Sequence, residues 1–386
     1  MPRIYLDHNA TTPFVSPALA RFCSAAAEVW GNASSVHHFG QQAKAVLDAA
    51  RAATAALLGA EPPEIVFTGG GSEADNAAIR GAAEALEPSG RRHLVVSSIE
   101  HEAVLQTAKA LARRGWRVTF LPVGASGVVE PEALAEALTD QTALVSVMHA
   151  NNEIGTVQPV AALAALARAR GALFHTDAVQ TAGKVPVDVQ ALGVDLLSIS
   201  AHKFGGPKGV GALWIRRGVR LVPFITGGRQ ERGRRAGTEN VPGIAALGAA
   251  ADYARAAGPA AAPAVAALRD RLEGGILAGV PGTVVNGSGP RVPNTTNISF
   301  DRVESESLLI ALDLEGVAVS SGSACSSGTL EPSHVLKAMG LPHARTMNSL
   351  RFSLGATNTE AEIDHVVAVL PALVTKLRGL ALRASG

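Results

Sequence analysis

The sequence predicts an α/β fold: a large unit built on a mostly parallel sheet of seven strands, followed by a smaller α+β unit. Three observations carry this expectation. Between about Glu64 and Trp214, short runs rich in Val, Ile and Leu alternate with Ala-rich segments of helical length, which is the pattern of βαβ units. Those runs are almost continuously apolar, as strands covered on both faces are. Near Ala250 the alternation gives way to AADYARAAGPAAAPAVAALRDRL, where Gly258, Pro259 and Pro263 interrupt an Ala-rich helical pattern, so a broken helix and a domain boundary are expected there. The expected limits are 14–258 for the large domain, and 1–13 together with 259–386 for the small one.

In chain order the seven strand candidates are EIVF, HLVVSS, RVTFLPV, ALVSVMH, ALFHT, DLLSIS and GALWI. A chain of 386 residues, 47% of them hydrophobic, can bury one large core and a second smaller one. With 34 Lys and Arg against 33 Asp and Glu the formal net charge is +1, which gives no general attraction to nucleic acid or to a membrane surface. The start, MPRIYLDHNATTP, has no apolar core of a signal peptide and no span is long enough to cross a bilayer, so a cytoplasmic protein is expected. The only two cysteines, Cys23 and Cys325, lie far apart in unlike surroundings, which speaks against a disulfide framework. Cys23, in the Ala-rich stretch ALARFCSAAAEVW, reads as a small buried hydrophobe.

Ligands of open α/β sheets sit beyond the carboxyl ends of the strands, and five of the runs end in reactive groups: TGGGSEADN (68–76), IEHE (99–102), ANNEIG (150–155), TDAVQ (176–180) and SAHKFGGPKG (200–209). The glycines of TGGGSEADN leave backbone N–H groups free to meet a phosphate at a helix N-terminus. The same stretch, Gly69-x-Gly71-x-x-Ala74, also weakly matches a dinucleotide fingerprint, or is a plain tight turn with Ser72 as helix cap. Lys203 follows a strand and precedes a Gly/Pro-rich turn, where an amine loses its charge easily and can form a Schiff base, although Lys208 competes on spacing alone. Asp177 would bring a carboxylate low in a cleft, in need of a cation such as a protonated pyridine nitrogen, or would cap a helix. His101 is a candidate to stack on an aromatic cofactor, or an ordinary surface histidine. An amine, a carboxylate and a phosphate cradle together match what pyridoxal phosphate requires. The eleven histidines show no metal-ligand spacing, so no resident metal is expected. Cys325, in the Ser- and Gly-rich VAVSSGSACSSGTLEPS, reads as an accessible loop thiol that becomes a nucleophile where the thiolate is favoured, or as a passive one.

The motifs YLDHNATTP, GNASSVHHFG, TGGGSEADN, EHEAVL, HANNEIGTVQP, HTDAVQ, SAHKFGGPKGVGAL, RRAGTEN, SSGSACSSGTLEPS and LRFSLG run in order from Tyr5 to Gly355. Taken together they resemble the cysteine desulfurases, pyridoxal-phosphate enzymes of the class-V aminotransferase family and of the fold type I architecture. The SSGSAC loop with its LEPS continuation resembles the longer-loop branch, which includes the nitrogen-fixation and iron–sulfur housekeeping enzymes. The resemblance implies that L-cysteine is converted to L-alanine with a persulfide left on Cys325, for delivery to an iron–sulfur scaffold or another sulfur acceptor. It implies Lys203 rather than Lys208 as the cofactor lysine, Asp177 on the pyridine nitrogen and Gln180 on the ring hydroxyl. His101 would stack on the ring and shuttle protons, while Gly71, Ser72, Ser200 and His202 would hold the phosphate. Thr238 would reach the phosphate of the other subunit of a homodimer. Asn152, beside the cofactor, and Arg351 would bind the substrate carboxylate. Cys325 could also ligate an iron–sulfur cluster transiently. In two places the sequence departs from the family pattern: Ser72 stands where threonine is expected, and Ala33 where proline is. A selenocysteine lyase or an aminotransferase of the same fold, a nicotinamide-dependent dehydrogenase using the glycine-rich turn, and a non-enzymatic sulfur-delivery scaffold are the rival readings.

Overall fold

The structure is a computed structural model that describes residues 3–321 and 332–384. All seven apolar runs are strands of one sheet: Ile65–Thr68 (β1), His93–Ser97 (β2), Arg117–Leu121 (β3), Thr142–Ser146 (β4), Leu173–Asp177 (β5), Leu196–Ser200 (β6) and Gly211–Ile215 (β7). Their spatial order is β1-β7-β6-β5-β4-β2-β3. From β6 across to β3 every neighbouring pair is parallel, whereas β7 runs antiparallel to both β6 and β1. Of these seven strands only the edge strand β3, RVTFL, is largely uncovered.

Helices Ser16–Glu28 (α1) and His38–Leu58 (α2) precede these strands in sequence, and Gly71–Leu86 (α3) and Glu102–Arg113 (α4) follow β1 and β2. One sheet face is closed by α3 and α4, whose Ala74, Ala78, Ile79, Val104 and Leu111 pack with Val66, Leu94, Val96 and Leu213. The other face belongs to a larger core that contains Leu47, Leu58, Phe67, Phe174, Leu197 and Trp214, together with Ile244 and Leu247 from the helix Val241–Gly279 (α5). Helices α2 and α5 meet so closely that a Cβ on Gly248 would stand 2.6 Å from Ala50 Cα, a contact only glycine permits.

Two expectations fail here. Helix α5 is not broken at Pro259 or Pro263: it runs uninterrupted over 39 residues. Both prolines are exposed, so the carbonyls that lose their N–H donors face water and the buried stripe on either side keeps its packing. Cys23 is exposed rather than buried, because the stripe that α1 buries runs through Ala18 and Ala25 and Cys23 falls off it.

The C-terminal half of α5 reaches a second core. There Thr283–Val285 (β8), Thr295–Phe300 (β9) and Ser349–Ser353 (β10) form an antiparallel sheet in the order β10-β9-β8. Its Ile298, Phe300, Leu350 and Phe352 pack with Leu272 and Ile276 of α5, with Leu308 and Leu312 of Ser305–Leu314 (α6), and with Ile363 and Leu370 of Glu360–Ala384 (α8). Ile4 and Leu6 join this core, and Ile4–Tyr5 pairs in parallel with Val317–Ala318. The short helix His334–Ala338 (α7) instead sends Val335 and Leu336 into the larger core. Among the described residues no helix is long and apolar enough to cross a membrane.

Candidate active site

A cleft of about 800 Å³ opens at the carboxyl ends of β2, β4, β5 and β6 and at the turn after β1. Ten of the residues singled out from the sequence line it: Gly71, Ser72, His101, Asn152, Asp177, Gln180, Ser200, His202, Lys203 and Arg351. Thr238 does not; it is exposed outside the cleft. Cys325 lies outside the described residues, while Ser320 on one side of 322–331 and Pro332, Ser333 and His334 on the other all line the cleft.

The turn after β1 delivers the chain into α3 through Gly70, whose φ of 147° is open to glycine alone. Gly70, not Ser72, is the N-cap, and no side chain caps the helix, so its first N–H groups stay available to an anion. A Cβ at Gly71 would fall 2.9 Å from Val179 Cγ2 and 3.4 Å from Ser200 Cβ, so only glycine lets this helix end close on the β6 end. Strand β1 also explains why the dinucleotide fingerprint fails: among the described residues it is an edge strand whose partner, β7, is antiparallel, so the glycine turn is not the first turn of a parallel βαβ unit.

Asp177 ends β5 and is buried, with Oδ1 accepting from the Val179 N–H at 2.8 Å. Burial pushes its carboxyl up, against the pull of His101 and Lys203. Beneath it Asp75, also buried, is raised by burial and by the negative charge of Asp177, and its Oδ1 has no hydrogen-bond partner among the described residues. His175 closes this layer, held between Ser146 at 2.8 Å and Ser198 at 2.9 Å and kept neutral by burial, its pKa lowered to about 3.

Lys203 sits at the end of a single tight turn, Ala201–Lys203, directly after β6. Its Nζ donates to the carbonyls of Asn9 at 2.6 Å and Ala10 at 2.9 Å. Burial, with Arg351 adding to it, lowers its pKa to about 8, so roughly a tenth of the amine is neutral at pH 7, far more than for an ordinary lysine. His202 is lowered to about 4, mainly by burial, and its Nδ1 lies 3.1 Å from Thr11 Oγ1. The His101 ring caps α4 through Nδ1, which accepts from the Ala103 N–H at 3.1 Å.

Arg351 comes from β10, at the register position opposite Asn297 on β9. Its Nη2 donates to Asp7 Oδ1 at 2.6 Å and its Nη1 to the Asn152 carbonyl at 3.0 Å, while the buried Nε has no partner among the described residues. A buried guanidinium with one orphan donor is suited to a carboxylate.

The donor set fits pyridoxal phosphate on grounds internal to this structure: an uncapped helix N-terminus that glycines allow to close on Ser200, a buried carboxylate at the floor, and an amine that gives up its proton readily. No cluster of metal-ligating side chains occurs among the described residues. Sequence reasoning missed Asp7, Asn9, Asp75 and Lys184. Asp75 lies within TGGGSEADN and Asp7 and Asn9 within YLDHNATTP, but the partners that make Asp7 and Asn9 matter, Arg351 and Lys203, are distant in sequence, and Lys184 carries no motif signal of its own.

The family model described as aminotransferase class-V matches residues 4–366. The chain belongs to that family. Among curated relatives, a protein named cysteine desulfurase from Cereibacter sphaeroides is 51% identical over 383 residues, covering 98% of each chain. Another of that name from Nostoc sp. strain PCC 7120 is 49% identical, covering 98% of this chain and 95% of its own. A solved structure titled NifS-like protein superposes with a TM-score of 0.91 at 38% identity, covering 97% of this chain and all of that one. A second, titled SspA in complex with cysteine, gives 0.81 at 34% identity over 92% of this chain and all of its own.

Proposed function

We propose that this chain is a pyridoxal-phosphate-dependent cysteine desulfurase that converts L-cysteine to L-alanine and leaves the sulfur as a persulfide on Cys325. The observation that carries this is the convergence, in one cleft, of an uncapped helix N-terminus, the buried Asp177, the easily deprotonated Lys203 and the buried Arg351, in a chain about half identical to proteins named cysteine desulfurase along nearly its whole length.

In this reading Gly71, Ser72, Ser200 and His202 hold the cofactor phosphate, Asp177 faces the ring nitrogen, Gln180 the ring hydroxyl, and His101 the ring face. Lys203 holds the cofactor and then moves the proton at the substrate Cα, for which its lowered pKa suits it. When bound, pyridoxal phosphate supplies an electron sink for the charge released at that carbon. Arg351 and Asn152 bind the substrate carboxylate and orient the thiol away from it. The Cys325 thiolate attacks the substrate sulfur: an S–S bond forms, the Cβ–S bond breaks, and the carbon skeleton regains a proton and leaves as alanine. That both flanks of 322–331 line the cleft supports this role for Cys325. The persulfide then passes to an acceptor such as an iron–sulfur scaffold. A homodimer completes the site, with Thr238 of each copy reaching the other's phosphate. The exposed Trp30 and Phe39, stacked at 4.3 Å, and the 91%-exposed Val36 support a partner on that side of the molecule. The large domain is assigned to 14–258 and the small one to 1–13 and 259–386, in a cytoplasmic protein.

The test is to load the purified protein with pyridoxal phosphate, record its visible spectrum, and add L-cysteine with a thiol reductant. A visible band that changes on addition, with sulfide and alanine released in equal amounts, is expected. A protein that stays colourless, or one that yields a 2-oxo acid in place of alanine, contradicts the proposal.

A further inference from the structure

Lys184 has no part in the chemistry above, yet its amine is turned into the protein behind the cleft. The residue is partly exposed, but its amine is enclosed, and burial, with Lys203 and Arg351 nearby, pushes its pKa well below the ordinary lysine value. Its Nζ makes two hydrogen bonds, to Gln180 Oε1 at 2.7 Å and to Asn9 Oδ1 at 3.0 Å. Gln180 in turn donates from Nε2 to the Asn9 carbonyl at 3.0 Å. An amide in a polar cleft can face it with either its oxygen or its nitrogen, and the two ends have opposite hydrogen-bonding character. Here the choice is forced. The amine donates to Oε1 and the Asn9 carbonyl, which can only accept, takes one N–H of Nε2, so the remaining N–H of Nε2 is the end left for a ligand in the cleft.

We propose that Lys184 is a positioning residue that locks the Gln180 amide with its nitrogen toward the cleft, so that the cofactor's ring oxygen meets a donor and is held as the anion. This rests on the cofactor reading above and extends it to a residue that touches neither cofactor nor substrate. Asn9 is the shared anchor: besides Lys184 and Gln180, it accepts from Lys203 at its carbonyl and donates from Nδ2 to the Asn152 carbonyl at 3.1 Å, so the lysine's two hydrogen bonds tie Gln180 to the same loop that holds Lys203.

The experiment is a pH titration of the visible absorbance of the loaded full-length enzyme, for the parent, Lys184→Met, Lys184→Gln, Gln180→Ala and the Lys184→Met/Gln180→Ala pair. Lys203, Arg351, His8, His202 and Asp177 surround this site and contribute in every variant, so differences between variants carry the result. Without the lysine the amide can turn its oxygen to the ring, and the spectral midpoint should rise by about one pH unit, the size expected for losing one hydrogen bond to an anion. Lys184→Gln keeps a donor and should recover part of the shift. In the Gln180→Ala background, Lys184→Met should shift nothing further. Equal midpoints in the parent and both Lys184 variants, or an undiminished shift without Gln180, overturn the inference. A parent that gains no visible band with pyridoxal phosphate removes the cofactor reading itself. Melting temperatures of the same proteins separate a fold defect from the positional effect, and Lys184→Gln carries the comparison if Lys184→Met does not fold.

Discussion

Glu100 is a fully buried carboxyl beside the catalytic candidate His101, with Oε1 taking hydrogen bonds from Ser97 Oγ and the Met148 N–H and Oε2 unpartnered among the described residues. Burial raises its pKa from 4.5 to about 8. Between those values the folded protein holds one proton more than the unfolded chain. Stability from this group is therefore full below about 4.5, falls as pH rises toward about 8, and stays lost above. His93, His149 and His175 work in the opposite direction, since burial lowers them to between about 3 and 4 and their contribution grows up to their ordinary 6.5. Melting temperature measured against pH for the parent and Glu100→Gln should show the parent losing ground to the variant steadily from pH 5 to 8. A constant gap would mean that Glu100 is charged in the fold. Such residues mark the limit of what the sequence discloses. Lys203, Asp177 and His101 were legible because each follows an apolar strand, and the ends of parallel strands are where α/β folds put their chemistry. Asn9, Asp75 and Lys184 were not. Asn9 matters through Gln180, 171 residues away, and Asp75 through Asp177, contacts that no local pattern encodes, while Lys184 gains its place from Asn9 as well as from nearby Gln180.

At the scale of elements, the strands were the most legible part of the fold, because a run such as DLLSIS has no polar face and must be covered on both sides. Helix α5 was misread for an equally physical reason. Proline's cost is local, and a local reading cannot see that Pro259 and Pro263 both fall on the solvent side of a helix whose Ala250, Ala254, Val265 and Leu272 are anchored in two cores. The prolines should still cost stability. A proline inside a helix is disfavoured by about 3 kcal/mol relative to alanine, a net value that already includes its stiffening of the unfolded chain, so Pro263→Ala should stabilise by about 3 kcal/mol. Chemical denaturation of the two proteins checks this. A destabilised variant would mean that the proline sets a bend which the second core requires.

The whole molecule assembles its site from both cores. Lys203, Asp177 and Gln180 come from the large sheet, Arg351 from the small one, and residues 7–10, from the segment that packs Leu6 in the small core, lie between them: Asp7 holds Arg351 while Asn9 and Ala10 hold Lys203. Arg351 and the Lys203 amine are thus aligned through one short stretch of backbone. The motif YLDHNATTP contains this loop, but nothing in its residues shows that it joins Arg351 to Lys203. One measurement tests directly whether sulfur moves from the cleft to Cys325. The loaded enzyme is given one equivalent of L-cysteine without reductant, and the Cys325 peptide is analysed by mass spectrometry beside the same peptide from Lys203→Ala. This peptide should gain the mass of one sulfur atom in the parent and none in the variant. Alanine released at the parent rate with no sulfur on Cys325 would contradict it.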